Sequence, residues 1–339
     1  MEHLTRALVD WIEIPSVTGG EADYADALAR ALGAEGFDCE LQEVAPGRAN
    51  LLARAGEPRL VFCTHLDTVP PFFGSRTDAD FIYGRGSCDA KGQAASMLEA
   101  GRRLLKAGVT DFGFLFTVGE EVDSIGATFA DAHLADPWRP EHVVIGEPTD
   151  NTYISGHKGI YKAKLCAHGV RGHSSQDIGP SAVHELVGSL QALIASEWGD
   201  HELFGKGTLN VGQIQGGVAA NVVAGEAEAE VLIRTVEEPA AVEARLRSLL
   251  GPHVDLEAQY KAYAPVAFHV PEGAPSKVVA FGTDAPHMPS WGTPVLFGPG
   301  TILDAHTAGE KVPKQALVDA ALEYERLATR LLAAKSASR

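Results

Sequence analysis

The 339-residue sequence has few cysteines and no long apolar segment. Its four cysteines (Cys39, Cys63, Cys88 and Cys166) form no Cys-x-x-Cys pair and no dense framework. A disulfide-stapled fold is therefore disfavoured, and a reduced, cytoplasmic compartment is expected. No apolar run reaches the roughly 18–20 residues that a membrane-spanning helix needs, so the sequence predicts no membrane anchor.

Basic side chains are also scarce. Lys and Arg together number 28 against 45 for Asp and Glu, which gives a formal net charge of −17. Phosphates would be repelled by this excess, so neither nucleic acid nor an anionic membrane surface is expected as a partner. The first 20 residues lack a basic start, an apolar stretch and a small-residue cleavage site, so no signal peptide is expected.

Several common catalytic motifs are missing. There is no Gly-x-Ser-x-Gly and no His-Glu-x-x-His, so neither a serine-hydrolase elbow nor that type of zinc helix is supported. The segment from Gly84 to Gly86 opens like a dinucleotide-binding motif, but Asp89 occupies its sixth position. Cys63 and Cys88 are interpreted as small buried fillers rather than as nucleophiles.

What is present is the composition of a globular protein, with 45% hydrophobic and 22% charged residues. The segments LVFC (60–63) and FGFLFTV (112–118) are short, apolar and continuous, as in strands buried on both faces. A helical segment over 91–107 lies between them, which predicts an α/β unit with a mostly parallel sheet.

The pattern changes after about residue 158. From there the order is strand, helix, strand, strand, helix, strand, which is typical of a small ferredoxin-like α+β domain. The sequence therefore predicts an α/β domain over 1–160 and 266–339, interrupted by an α+β insert over 161–265.

Acids and histidines follow the predicted strands closely. Ligand sites in open α/β sheets form just past the carboxyl ends of the strands. The candidates at that edge are His65, Asp67, Asp89, Glu120, Glu121, Glu147 and His306. Two imidazoles and several carboxylates together predict a metal site of the zinc kind.

Two short patterns suggest roles within that site. In His65-Leu66-Asp67, the histidine would bind metal through one ring nitrogen while Asp67 accepts the other N–H. In the pair Glu120-Glu121, one residue would bind metal and the other would act on a water molecule.

Taken together, the motifs resemble those of the di-zinc amidohydrolases that include acetylornithine deacetylase, succinyl-diaminopimelate desuccinylase, aminoacylase and carboxypeptidase G-type enzymes. The resemblance runs end to end. It is carried, in order, by HLDTVPP, GRGSCDAKG, VGEEVDSIGA, IGEPT, HKG, GHSS, NVV and HTAGE. It implies a zinc-hydrolase catalytic domain with an inserted lid or dimerisation domain, and a homodimer formed through that insert.

The resemblance also implies that the protein binds two Zn²⁺ ions, for which Co²⁺ can substitute. His65, Asp89 and Glu147 hold one ion, whereas Asp89, Glu121 and His306 hold the other, so that Asp89 bridges. Glu120 becomes the general base and then the general acid, and Asp67 orients His65.

Substrate contacts are implied for His173, Asn221, Arg234 and Gly298. His173 would stabilise the oxyanion, in relatives from the partner subunit, although by spacing alone it is a capping or core histidine. Arg234 suits an α-carboxylate, and its alternative is a surface ion pair with Glu228 or Glu230. Gly298 would let the backbone approach the substrate closely.

The nearest resemblance is to acetylornithine deacetylase, which implies hydrolysis of N-acetyl-ornithine to ornithine and acetate in arginine biosynthesis. Alternatives are N-acetyl-citrulline, N-acetyl-lysine or carrier-linked lysine, and N-succinyl-diaminopimelate. A dipeptidase or aminopeptidase of the same architecture is a further alternative. A non-catalytic metal-binding relative is disfavoured because Glu120 and all five ligands are present.

Overall fold

A computed structural model describes residues 2–333, with residues 258–260 described by their backbone alone. Seven α-helices are present in this range, and two single-turn 3₁₀ helices cover Ala285–His287 and Pro289–Trp291. The α-helices are α1 Glu2–Ile12, α2 Ala22–Ala34, α3 Lys91–Lys106, α4 Ile125–Ala132, α5 Ala182–Ala195, α6 Pro239–Leu249 and α7 Lys314–Ala333.

Twenty strands, several of only two residues, complete the described range. They are β1 Asp38–Ala45, β2 Arg48–Ala55, β3 Leu60–His65, β4 Arg76–Thr77, β5 Phe81–Tyr83, β6 Phe112–Thr117, β7 His142–Ile145, β8 Tyr153–His157, β9 Gly159–His168, β10 Gly172–His173, β11 Asp200–His201, β12 Gly205–Lys206, β13 Thr208–Gly216, β14 Val222–Val223, β15 Glu226–Thr235, β16 Val254–Tyr263, β17 Val266–Ala267, β18 Ser276–Val279, β19 Thr293–Leu296 and β20 Lys311–Pro313.

The chain forms two compact units. One contains the residues up to Ser155, Phe268–Lys277 and the residues from Thr283 onward. The other contains Gly156–Ala267 and Val278–Gly282. The second unit is thus an insertion into the chain of the first.

The first unit is built on a sheet with the strand order β1-β2-β6-β3-β7-β19-β8. The four central strands β6, β3, β7 and β19 are parallel, whereas β1, β2 and β8 pair antiparallel at the two sides. All six residues of β3 and all six of β6 are buried, because helices cover both faces of a parallel sheet. The predicted α/β class with a mostly parallel sheet is confirmed.

Aromatic side chains fill much of the core of this unit. Phe62 on β3 packs against Phe112 and Phe114 on β6, with ring centroids 6.3 and 5.7 Å apart. Tyr324 of α7 joins this cluster at 5.6 Å from the Phe62 ring and donates its hydroxyl to the Phe297 carbonyl. This packing holds the sheet and the closing helix together, and so holds in place the loops that leave the sheet.

The second unit has a four-stranded antiparallel sheet in the order β13-β15-β9-β16. Its chain order is β9, α5, β13, β15, α6, β16, with the two-residue strands in the connections. Inward residues of the strands, such as Ala163, Leu165 and Val231, pack with Leu186 of α5 and Leu246 of α6 in a separate core. One face of the sheet is therefore apolar, and the opposite face carries charged residues.

Within residues 2–333, no helix combines the length and the apolar character needed to cross a bilayer. The four cysteines are all unpaired.

Candidate metal centre

The candidate site residues of the first unit gather at the carboxyl edge of its parallel strands. His65 is the last residue of β3, Glu120 and Glu121 follow β6, and Glu147 follows β7. Asp89 lies two residues before the start of α3, and His306 lies in the loop after β19. Because parallel strands end at the same edge of a sheet, the topology brings these segments together.

Asp89 lies at the centre of the cluster, between two imidazoles. Its Oδ1 is 3.0 Å from His65 Nε2, and its Oδ2 is 3.2 Å from His306 Nε2. Each carboxylate oxygen therefore faces a different histidine. This is the arrangement that a carboxylate shared between two cations requires.

Glu121 completes one side of the cluster. Its Oε1 lies 2.9 Å from His306 Nε2. One donor atom from each of His65, Asp89 and Glu121 falls within a common span of 4.8 Å, which is close enough for a single ion to contact all three. His306 adopts a positive φ of 62°, a conformation that is uncommon for a non-glycine residue.

Asp67 holds the turn that carries the two glutamates. Its Oδ1 accepts the backbone N–H of Glu120 at 3.1 Å, and its Oδ2 accepts that of Glu121 at 3.2 Å. The Thr18 hydroxyl donates to Oδ2 at 2.8 Å. His65 Nδ1 lies 2.9 Å from the main-chain carbonyl of Asp67 and 3.5 Å from its carboxylate. The histidine is thus oriented mainly by the backbone, because the carboxylate is engaged with the glutamate turn.

The buried carboxylates of the cluster are electrostatically crowded. Burial, together with the charges of Asp284 and Glu121, raises the pKa of Glu120 well above its usual value, although His65 opposes the shift. Burial and the neighbouring Glu120 and Asp89 likewise raise the pKa of Glu147. Nearby positive charge would stabilise the ionised form of these carboxylates.

The histidines supply part of that charge. Hydrogen bonds to Asp89 and Glu121 raise the pKa of His306 to about 10. For Asp89, burial alone would raise the pKa, but hydrogen bonds from His306 and His65 hold it below its usual range. Imidazole nitrogens and carboxylate oxygens in one buried cluster are a donor set that suits Zn²⁺ or Co²⁺. The residues present therefore fit a metal centre.

The sequence did not indicate a role for Glu310, the last residue of HTAGE. Its Oε1 accepts the backbone N–H groups of Gly86, Cys88 and Asp89, each at 3.0 Å. Its Oε2 accepts Arg85 Nη1 at 2.5 Å. Burial raises the pKa of Glu310 to about 7 despite these donors.

Asp284 is a second buried acid that the sequence did not single out. It is 3% exposed and accepts the Thr117 hydroxyl at 2.7 Å. Burial raises its pKa. Neither Glu310 nor Asp284 follows a predicted strand directly, so no pattern in the sequence marked them.

The four residues predicted to contact substrate fall in different places. Gly298 belongs to the first unit, where a Cβ would lie 2.5 Å from the Glu147 carbonyl oxygen. The close packing of these two loops is therefore sufficient reason for a glycine there. His173, Asn221 and Arg234 all belong to the second unit.

In the second unit, His173 and Asn221 lie on neighbouring segments. Ser174 N donates to the Asn221 carbonyl at 3.1 Å, and the exposed His173 bonds through Nδ1 with the Ser175 hydroxyl at 2.8 Å. Its Nε2 is thereby left for another partner.

Arg234 does not form an ion pair with Glu228 or Glu230, the alternative to a contact with the substrate. Glu228 pairs with Lys164 at 2.7 Å and Glu230 pairs with Lys162 at 3.3 Å. Among the described residues, Arg234 Nη1 is buried without a hydrogen-bond acceptor.

A family model, "Peptidase family M20/M25/M40", matches residues 61–330. A peptidase M20 domain-containing protein of Schizosaccharomyces pombe is 35% identical over 329 residues, which cover 93% of this chain and 82% of that protein. A probable carboxypeptidase of Talaromyces marneffei is 34% identical over 376 residues, covering 94% and 83% of the two chains.

Solved structures share the fold. A tripeptidase from Staphylococcus aureus superposes with a TM-score of 0.81 at 22% identity, over 97% of this chain and 98% of that one. An M20 family metallo-carboxypeptidase from Sulfolobus solfataricus gives 0.78 at 17% identity, over 96% and 98%. A dinuclear metal binding peptidase from Bacillus subtilis gives 0.73 at 15% identity, over 98% of each chain.

Proposed function

The chain belongs to peptidase family M20/M25/M40 and is a metal-dependent hydrolase, and we propose that it cleaves the amide bond that links an acyl group to an α-amino acid bearing a free carboxylate. The observation that carries this proposal is the Asp89 carboxylate between two imidazoles, beside the partly buried Glu120.

We propose two Zn²⁺ ions as the native cofactor, with Co²⁺ as a substitute. His65, Asp89 and Glu147 would hold one ion, and Asp89, Glu121 and His306 would hold the other. The separate histidine partners of Oδ1 and Oδ2 support the bridging role of Asp89. When bound, the metals polarise the amide carbonyl and favour ionisation of the attacking water.

Glu120 is the proton carrier in this proposal. Its raised pKa, due first to burial, brings it toward the range in which a carboxylate can both take a proton from water and return one to the leaving amine. The Asp67 carboxylate holds the Glu120 backbone, so the proton acceptor is presented from a fixed turn. Protonation of the leaving amine completes the cleavage.

Arg234 is proposed to recognise the carboxylate of the substrate, and Asn221, which lies on the segment next to His173 in the same unit, is proposed as a further substrate contact. Among the described residues, Arg234 Nη1 is buried without a hydrogen-bond acceptor, which supports a role in binding an anionic group such as a carboxylate. His173 is proposed to donate a hydrogen bond to the developing oxyanion through Nε2.

Deacylation and carboxypeptidase cleavage break the same bond in this description. N-acetyl-ornithine is the specific substrate that the sequence motifs favour, whereas relatives are named probable carboxypeptidases. In both cases the leaving group is an amino acid with a free carboxylate. The two activities differ only in the acyl group, which is acetyl or succinyl in deacylation and an aminoacyl group in carboxypeptidase cleavage.

A substrate panel tests the proposal. Zinc- or cobalt-loaded protein is assayed on N-acetyl-ornithine, N-acetyl-citrulline, N-acetyl-lysine, N-succinyl-diaminopimelate and dipeptides. Each dipeptide is supplied free, N-acetylated and C-terminally amidated. We expect amidation to abolish turnover and N-acetylation to preserve it. The opposite pattern would indicate an aminopeptidase, and no turnover on any compound would refute the proposal.

We also propose that the protein is a cytoplasmic homodimer formed through the second unit. The edge strand β13 is nine residues long, carries no charged side chain and pairs on one side with β15. Exposed edges of this kind are usually protected by charge or proline, and Ile214 on β13 is 56% exposed. Light scattering should give twice the chain mass, and Ile214→Lys should lower it. A monomer at all concentrations would contradict the proposal.

A further inference from the structure

The loop Gly84–Asp89 is wrapped around a buried carboxylate. Glu310 is 0% exposed and lies inside the loop, where one of its oxygens accepts three backbone N–H groups. Gly84 and Gly86 adopt positive φ values of 138° and 88°. Successive N–H groups in turns of this kind converge into a concave anion site. In this protein the anion is supplied by the chain itself.

The other oxygen of Glu310 is held by the only cation of the loop. Arg85 is 1% exposed, donates Nη1 to Glu310 and donates Nε to the Pro71 carbonyl at 3.2 Å. A buried ion pair of this kind carries a large desolvation cost and is often replaceable by apolar residues without loss of stability. Stability alone is therefore a weak reason for its presence.

The donors that Glu310 binds point to a different role. Its third N–H partner is the backbone of Asp89, the residue whose side chain lies between His65 and His306. A hydrogen bond to the amide of Asp89 restricts the rotation of that residue, and with it the direction in which its two oxygens point.

We propose that Glu310 is a positioning residue that sets the orientation of Asp89 toward the two metal ions. The inference rests on the proposed metal centre. Glu310 acts through Asp89 and touches neither substrate nor metal. Outer residues of this type typically change metal affinity by about 10- to 100-fold when they are altered.

Glu310→Gln is the informative substitution. If the amide oxygen of glutamine faces the three N–H groups, its NH₂ faces the guanidinium of Arg85, and two donors oppose each other. If the glutamine is turned round, its NH₂ faces the three N–H groups. The variant therefore cannot satisfy both ends of the site, although its size is unchanged.

The first measurement is hydrogen exchange of the metal-free protein, followed by mass spectrometry of peptides that cover 84–89. We expect the amides of Gly86, Cys88 and Asp89 to exchange at least about tenfold faster in Glu310→Gln. Glu141→Gln is the matched control, because Glu141 pairs with Arg59 at 3.1 Å near the start of β3, away from this loop. Unchanged exchange over 84–89 would overturn the proposal.

The second measurement is Co²⁺ titration with the visible absorption spectrum of the bound ion. We expect about 10- to 100-fold weaker binding and a changed spectrum for Glu310→Gln, with wild-type behaviour for Glu141→Gln. Faster exchange with wild-type Co²⁺ affinity and spectrum would show a purely structural residue and overturn the positioning role. If Glu310→Gln does not fold, Glu310→Asp replaces it as the test. This variant keeps the negative charge but shortens the side chain by one methylene, and it is expected to give the same changes in smaller degree. Wild-type behaviour of Glu310→Asp would overturn the proposal. Wild-type protein that binds no Co²⁺ would refute the proposed function itself, and with it this inference.

Discussion

Asp67→Asn should loosen the turn that carries Glu120, the proposed general base. In the wild type, one carboxylate accepts the N–H groups of Glu120 and Glu121, at 3.1 and 3.2 Å, and the hydroxyl of Thr18. Asparagine has the same shape but only one oxygen. Its NH₂ group must face at least one of these donors, so at least one of the bonds is lost.

The size of the effect follows from these contacts. Leaving a buried N–H without an acceptor costs about 1–3 kcal/mol, and the bonds that remain lose the strengthening due to the negative charge. A total of about 2–4 kcal/mol corresponds to opening of the turn that is about 30- to 900-fold more frequent. The change should be local, because the partners of the Asp67 carboxylate lie in this turn, at Thr18 and at the adjoining His65.

Hydrogen exchange of metal-free protein over 118–124 measures this opening directly. We expect the amides of Glu120 and Glu121 to exchange faster in Asp67→Asn by about that factor. Thr18→Val is the matched control, since it removes one hydroxyl but leaves both amides their acceptor oxygens. Exchange over 118–124 that is the same in wild type and Asp67→Asn would refute the reasoning, whatever the effect on activity.

Three further predictions concern other residues. Glu120→Gln should keep both metals and lose about 10²–10⁴-fold in rate, as measured by metal analysis and turnover; loss of metal would instead make Glu120 a ligand. Arg234→Met should raise KM at least about tenfold with kcat largely kept; an unchanged KM would contradict its contact with the substrate carboxylate. Asp284→Asn should stabilise the metal-free protein relative to wild type increasingly as the pH rises above the usual pKa of an aspartate. Burial raises the folded-state pKa of Asp284, so the folded wild type holds a proton that the unfolded chain has lost. The stability of the wild type therefore falls between the unfolded-state and folded-state pKa values, by about 1.4 kcal/mol for each pH unit. Denaturant unfolding at a series of pH values checks it, and a difference independent of pH would be evidence against it.

Much of the first unit could be predicted because its strands are strongly apolar. The segments around Phe62 and Phe114 are buried on both faces, and such strands carry a clear signal. The strand Asp38–Ala45 was not predicted, because it lies at the edge of the sheet and its side chains are mostly exposed. The helix Ile125–Ala132 was also not predicted, since its eight residues begin without a capping side chain.

The candidate site was predictable where residues follow strands directly. His65 and Glu147 belong to this group, whereas Asp89 was expected at this edge because it precedes a helix, and His306 because it follows a late strand and a Gly-Pro-Gly turn. The contacts of Glu310 could not be predicted, because they are made with three backbone N–H groups more than 200 positions earlier in the chain. The dual use of Asp67, with its carbonyl toward His65 and its carboxylate toward the glutamate turn, likewise depends on tertiary distances that spacing does not contain.

The segment from His306 to Glu310 contacts Asp89 at two points. His306 faces the carboxylate of Asp89, and Glu310 holds its backbone amide. A displacement of this segment would therefore be transmitted to both the carboxylate and the backbone of Asp89. Transfer of this centre to another scaffold would therefore require Gly84–Asp89 and His306–Glu310 to be moved together, as one structural unit rather than as two independent loops.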